Sequence, residues 1–138
     1  MPHIVISVLE GMAFETKRLL AEDIAGAVSR NVGLPLDMVK GEVSVVEIPL
    51  ENCAPALDYS ESRLPFAVRY VSMNILRGRP LEQKRGIVRD VAEAIGKVLG
   101  VPPDSDEIVV EINEVDPANI SHGGILTLDM AEPPLPLE

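Results

Sequence analysis

The two halves of the chain show the same succession of apolar patterns, which is that of a strand, then a helix, then a second strand. Short runs rich in isoleucine and valine predict β-strands at His3–Leu9, Val43–Ile48, Val68–Leu76 and Ile108–Val115. Between the two strands of each half, apolar residues return every three or four positions, which is typical of a helix with one buried face. These positions are Leu20, Ile24, Ala27 and Val28 in the first half, and Ile87, Val91, Ala94, Ile95 and Val98 in the second. Gly33 and Gly100 follow these stripes and predict where the two helices end.

The chain contains an internal repeat. Residues 4–48 align without a gap with residues 71–115 at a shift of 67 positions, and 13 of the 45 aligned pairs are identical. Chance would give roughly one identity in fifteen positions for an ordinary composition. We therefore predict two tandem strand–helix–strand units, at residues 1–50 and 66–130.

The repeat predicts an α+β fold with one four-stranded mixed sheet. The helix inside each unit permits a parallel, right-handed crossover between its strands. A single unit has too small a core to be stable, so we expect the two units to form one domain with both helices on one face of the sheet. Because the strands are apolar at nearly every position, we expect the other face to be apolar too and to be covered by other subunits. Residues 51–65 would form a polar joint, and residues 131–138 a proline-rich tail.

Composition narrows the classes of function. Of 138 residues 46% are hydrophobic, and no apolar run approaches the ~20 residues that span a membrane. The 22 acidic and 12 basic residues give a net charge of −10, which disfavours binding to nucleic acid or anionic lipid. One cysteine cannot form an internal disulfide, and two histidines argue against a zinc site. The first residues lack the basic and apolar regions of a signal peptide, so we expect a cytoplasmic protein.

Pro2 is the residue with the most informative chemistry. An initial methionine is normally removed when a small residue follows it, and here its removal would leave proline with a free secondary amine. Such an amine can act as a base, an acid or a nucleophile, whereas proline elsewhere in a chain has no functional group in its side chain. Pro2 also leads directly into an apolar strand, which would hold its nitrogen at one end of the sheet. Pro2 is therefore a candidate catalytic residue.

The segment from Pro2 to Gly11, followed by Glu15, Lys17 and Arg18, resembles the tautomerase superfamily of 4-oxalocrotonate tautomerase-like proteins. With its two repeats, the chain is similar to the fused, double-length members of that superfamily. The resemblance implies β-α-β units, assembly into a homotrimer, and catalysis by the N-terminal proline without a metal or other cofactor.

The two units differ at the junction between their first strand and their helix. The first unit has Glu10-Gly11-Met12, and the second has Arg77-Gly78-Arg79. A guanidinium group pairs with a carboxylate through two parallel hydrogen bonds. In the superfamily an arginine just after this glycine binds the substrate carboxylate. The resemblance therefore implies that Arg79 takes part in catalysis and substrate binding, with Arg77 as a second substrate-binding residue.

Together these residues predict a keto–enol tautomerase that acts on small 2-oxo or dienol carboxylic acids, with Pro2 as general base. An alternative is a decarboxylase or hydratase that uses protonated Pro2. This alternative is suggested because the arginine motif and the following Glu82-Gln83-Lys84 are similar to the malonate semialdehyde decarboxylases. A third alternative is a non-catalytic module that binds a small acid or assembles with partners. His122, beside two glycines, is a further candidate for substrate contact, or else an exposed residue of a turn.

Overall fold

Four strands form one mixed sheet in the computed structural model, which describes residues 2–53 and 68–130. They are β1 (His3–Leu9), β2 (Val43–Ile48), β3 (Val68–Leu76) and β4 (Val110–Val115), in the spatial order β2-β1-β3-β4. β1 is parallel to β2 and β3 is parallel to β4, whereas β1 and β3 pair antiparallel in the middle. The predicted α+β fold with a four-stranded mixed sheet is confirmed.

Two long helices connect the strands of the two units. α1 (Phe14–Val32) and α3 (Leu81–Leu99) have 19 residues each and pack against one another on the same face of the sheet. Each helix ends at the predicted glycine, Gly33 or Gly100, whose φ of 71° or 70° lies in the left-handed region. The short helix α2 (Leu36–Lys40), just before β2, was not predicted, because five residues are too few to show a helical period.

The hydrophobic core lies between the two long helices and one face of the sheet. Every second residue of β1 faces this core, and so do alternate residues of β3. The fully buried members of the core include Ile4, Ile6 and Val8 from β1, Val71 and Met73 from β3, and Leu20, Ile24, Val28, Ile87, Val91 and Ile95 from the helices. Burial of one such side chain contributes about 1.5–3 kcal/mol, so the stripes identified in the sequence account for much of the driving force for folding.

The open face of the sheet, away from the helices, differs between the two units. In the first unit it carries the apolar residues Val5, Leu9, Val46 and Ile48 together with the polar residues Ser7 and Ser44. In the second unit it carries the polar residues Tyr70, Ser72, Asn74, Glu111 and Asn113, together with the apolar residues Leu76 and Val115 at the strand ends. The Glu111 carboxylate accepts hydrogen bonds from Ser72 Oγ at 3.4 Å and from Asn113 Nδ2 at 3.3 Å. The expectation of an apolar open face therefore holds only in part, because this face is mixed in the first unit and mainly polar in the second.

One ion pair between helix and sheet is repeated in both units. Lys17 on α1 lies 2.9 Å from the Glu47 carboxylate on β2, and Lys84 on α3 lies 2.8 Å from the Glu114 carboxylate on β4. All four residues belong to the identical pairs of the repeat. The two units therefore share a contact as well as a pattern, which is what a duplicated folding unit predicts.

Part of the predicted organisation lies outside the described residues. The joint predicted at residues 51–65 is described only as far as Cys53, and the tail at residues 131–138 is not described. Within the described ranges, no helix combines the length and the apolar character that a membrane span would need. In the same ranges, no cluster of three or more His, Cys, Asp or Glu side chains could hold a metal ion.

Candidate active site

One edge of the sheet brings together the predicted catalytic residues of both units. β1 begins directly after Pro2, and β3 ends directly before Arg77. These strands are antiparallel, with His3 opposite Asn74, so the start of β1 lies beside the end of β3. The same edge of the sheet therefore contains Pro2, Arg77 and Arg79. We call it the Pro2 edge, and it consists of the starts of β1 and β2 and the ends of β3 and β4.

Pro2 is buried at this edge, although the next residue, His3, is exposed. The backbone N–H of Ile4 donates to the carbonyl of Glu42 at 3.0 Å, which holds the start of β1 against the start of β2. The hydrogen bonds of β1 on both sides thus hold the residue that precedes it. Pro2 is positioned by the sheet and by packing, as the sequence predicted for a residue that leads into a buried strand.

The turn after β3 is fixed by contacts on both sides. The backbone N–H of Arg77 donates to the carbonyl of Val115 at 3.0 Å. Gly78 has a φ of 114°, which residues with a side chain rarely adopt. Its N–H donates to the Glu114 carboxylate, whose pKa is lowered first by the hydrogen bond from Lys84 and also by this backbone contact. The direction in which the chain leaves β3 is therefore set before α3 begins.

Arg79 is buried at the start of α3, with 5% of its surface exposed. Its Nη1 donates to Oε1 of Gln83, on the first turn of that helix, at 2.9 Å. The equivalent residue of the first unit is Met12, which packs against the hydrophobic core. The fold therefore accepts a long apolar side chain at this position. A buried guanidinium near the positive N-terminal end of a helix is costly unless it is compensated, so an arginine is an unusual residue at this position.

Arg77 has the opposite environment. Its side chain is 63% exposed, and its Nη1 lies 2.9 Å from Oδ2 of Asp116, the residue that follows β4. The two arginines of the motif thus present one buried and one accessible guanidinium at the Pro2 edge.

His122 lies in a groove of about 340 Å³ at the same edge. It belongs to a small hairpin, β5 (Ser121–His122) and β6 (Ile125–Leu126), whose turn contains Gly123 and Gly124 with φ of 58° and 82°. The described lining residues are His3, Glu42, Asn74, Val115, Asn119, Ile120 and His122, and they do not include Pro2 or the two arginines. The structure therefore groups His122 with His3 and Asn74. Sequence reasoning missed these two residues because neither belongs to a motif.

The opposite edge of the sheet has the equivalent positions of the first unit but different chemistry. There Glu10 takes the place of Arg77, and its Oε1 accepts a hydrogen bond from the backbone N–H of Leu50 at 2.6 Å. Met12 takes the place of Arg79. At these two positions the first unit has no cation, so the Pro2 edge is the candidate active site.

Comparison with known proteins identifies the family. A family model described as tautomerase enzyme matches residues 70–127, which is most of the second unit. A probable tautomerase of Bradyrhizobium diazoefficiens is 39% identical over 54 residues, which make up 39% of this chain and 78% of that protein. The chain belongs to the tautomerase family.

Solved structures share the tautomerase fold over nearly the whole chain. A native fused 4-OT has a TM-score of 0.77 at 20% identity, covering 94% of this chain and 99% of that one. A fused 4-OT that forms an asymmetric trimer has a TM-score of 0.73 at 18% identity, with the same coverage. A malonate semialdehyde decarboxylase has a TM-score of 0.66 at 19% identity, again covering 94% and 99%. The arrangement of two fused units is thus a known form of this fold.

Proposed function

We propose that this protein is a keto–enol tautomerase for small 2-oxo or dienol carboxylic acids, with Pro2 as general base. Membership of the tautomerase family supports this class of chemistry. The observation that carries the proposal is the antiparallel pairing of β1 with β3, which places Pro2 at the strand end from which Arg77 and Arg79 follow. A base that shares a strand end with guanidinium groups suits proton transfer at a carbon close to a carboxylate.

The proposed role requires Pro2 to be a neutral amine. An exposed α-amine has a pKa of about 7.7–8.0, and a secondary amine has a higher one. Burial of a terminal amine, and a positive charge close to it, would both disfavour the protonated form. The proposal requires removal of Met1, because the proline nitrogen is part of an amide while methionine is attached. Neutral Pro2 would then take a proton from the carbon next to the carbonyl, or from the enol, and return it at the other position.

The two arginines would bind and stabilise the anionic substrate. Arg79 would hold the carboxylate through its planar fork and stabilise the negative charge that develops on the enolate oxygen. Arg77, which is more accessible, would provide a second carboxylate contact. His122 would contact the part of the substrate that extends into the groove. A small carboxylate is therefore the ligand that we assign to the Pro2 edge.

A second candidate function keeps Pro2 protonated. A cationic proline would polarise a carbonyl or deliver a proton, which would lead to decarboxylation of a β-keto acid or hydration of an unsaturated acid. The similarity of the fold to malonate semialdehyde decarboxylase favours this candidate over other reactions. The two functions require opposite charge states of the same nitrogen, so the pH dependence of activity separates them.

We also propose that the protein is a cytoplasmic homotrimer. The apolar part of the open face, formed by Val5, Leu9, Val46 and Ile48, offers a surface that other subunits would cover. A fused 4-OT with the same fold forms a trimer.

The test is an assay of phenylenolpyruvate and 2-hydroxymuconate with three proteins. These are the native protein shown by mass spectrometry to lack Met1, the Pro2→Ala variant, and a preparation that retains Met1. General base catalysis contributes about 10²–10⁴-fold, so we expect the Met1-retaining protein to lose at least about a hundredfold in kcat/KM. Pro2→Ala should lose less, since alanine also leaves a terminal amine. Equal turnover in all three would refute catalysis by Pro2, and activity that falls as Pro2 deprotonates would favour the second candidate.

A further inference from the structure

Asp116 connects two parts of the Pro2 edge. It follows β4 directly, as Arg77 follows β3, and the parallel pairing of these strands places the two residues side by side. Oδ2 of Asp116 lies 2.9 Å from Nη1 of Arg77. Oδ1 accepts a hydrogen bond from the backbone N–H of Ala118 at 3.0 Å. One carboxylate thus holds both the guanidinium and the turn that leads to the groove of His122.

The internal repeat serves as a control for the role of this ion pair. The residues equivalent to Arg77 and Asp116 in the first unit are Glu10 and Pro49, which cannot form an ion pair. The lysine–glutamate pair between helix and sheet, in contrast, is present in both units. A pair that the folding unit needs should occur in both copies. A pair found only in the copy that contributes arginines to the Pro2 edge is expected to serve that edge.

The geometry points to Asp116 as a positioning residue that orients Arg77 for the substrate carboxylate, an inference that rests on the proposed function. An exposed arginine has many rotamers, and their restriction on binding weakens affinity. Pairing with Asp116 restricts them before the substrate arrives. A guanidinium has five N–H donors, so the contact through Nη1 leaves other donors of Arg77 for a carboxylate. Asp116 therefore acts through Arg77 and does not need to touch the substrate.

A double-mutant cycle tests this role. The variants are Asp116→Asn, Arg77→Ala and their combination, and Asn is chosen because its Oδ1 can still accept from Ala118. The main readout is the Kd of phenylpyruvate, measured by calorimetry, with kcat and KM for phenylenolpyruvate as the second readout. We expect Asp116→Asn to raise Kd and KM by about tenfold and to change kcat by less than about threefold. In the Arg77→Ala background the same substitution should change Kd by less than about twofold.

A matched control removes a similar ion pair elsewhere. Glu47→Gln breaks a pair with the same N–O distance of 2.9 Å in the first unit, and it should leave Kd unchanged. The inference is wrong if Asp116→Asn weakens binding equally with and without Arg77, if it tightens binding, or if the native protein does not bind phenylpyruvate. If Pro2→Ala turns over as fast as the native protein, the proposed function fails. The cycle, measured by binding alone, still decides whether Asp116 positions Arg77.

Discussion

Replacing Arg79 by methionine should separate activity from folding. The first unit has Met12 at the equivalent position, where it packs against the core, so the fold already accommodates this side chain. Arg79→Met therefore removes the guanidinium and keeps a long, unbranched side chain in a site that is 5% exposed. Its neighbour Gln83 is only partly buried and can turn to water when the contact from Nη1 is lost.

The expected magnitudes follow from these contacts. A hydrogen bond to a charged group contributes about 1.5–3 kcal/mol, so loss of a two-bond carboxylate contact removes about 3–6 kcal/mol of transition-state binding. This corresponds to a decrease of about 10²–10⁴-fold in kcat/KM. Loss of the contact with Gln83 and of the other interactions of the guanidinium lowers stability, whereas the first unit shows that the fold accepts a methionine at this position. We therefore expect the free energy of unfolding to fall by no more than about 1–3 kcal/mol, so that the variant stays folded.

The assay compares kcat/KM for phenylenolpyruvate with the free energy of unfolding in urea, for the native protein, Arg79→Met and Arg79→Lys. Lysine keeps the charge without the planar fork, so its activity should lie between the other two. The reasoning is refuted if Arg79→Met retains full activity. It is also refuted if this variant unfolds so readily that the loss of folded protein accounts for the loss of activity, since Arg79 would then be a structural residue.

Two further predictions concern stability. A Cβ added at Gly96 would lie 2.7 Å from the carbonyl oxygen of Val101, so Gly96→Ala should destabilise the protein by about 1–3 kcal/mol in urea unfolding. In the control Gly26→Ala, the added Cβ meets only the end of the flexible Arg30 side chain, at 3.3 Å, so this variant should be more stable by up to about 1 kcal/mol. Equal effects of the two substitutions would contradict this explanation. The pKa of the Asp90 carboxyl is lowered, mainly by the hydrogen bond from Asn31 at 2.8 Å. The ionised carboxylate therefore stabilises the fold at pH values above about 4. This stabilisation is lost as the pH falls through the lowered pKa. The free energy of unfolding of Asp90→Asn should therefore fall less on acidification than that of the native protein. If both proteins show the same dependence on pH, Asp90 does not have this role.

The elements of the fold could be predicted well because their signals are local. The bounds of β1, β2 and β3 agree with the apolar runs, and both long helices end at the glycines that follow their apolar stripes. β4 begins at Val110, two residues later than predicted, because the N–H of Ile108 bonds to the carbonyl of Ser105 in a turn. An apolar residue next to a strand looks like part of it until the partners of its backbone are known.

The candidate site could be predicted only where a residue is unusual for its position. Pro2 stands out as a proline that could become an N-terminus, and Arg79 stands out because the repeat has a methionine there. Asp116 and Asn74 have no such signal. Asp116 is an ordinary acidic residue after a strand, and its partner Arg77 lies 39 positions earlier in the chain.

The order of residues along the chain was sufficient to establish a duplicated strand–helix–strand unit, because a 67-residue repeat and the periods of strand and helix depend only on sequence neighbours. The pairing between the two units was decided by the tertiary structure. Since β1 and β3 run antiparallel, the start of one strand meets the end of the other, and Pro2 shares an edge with Arg77. A parallel pairing would have placed Pro2 beside the start of β3, at the opposite edge from both arginines. Local patterns do not encode that choice, because it depends on how distant segments pack into one core.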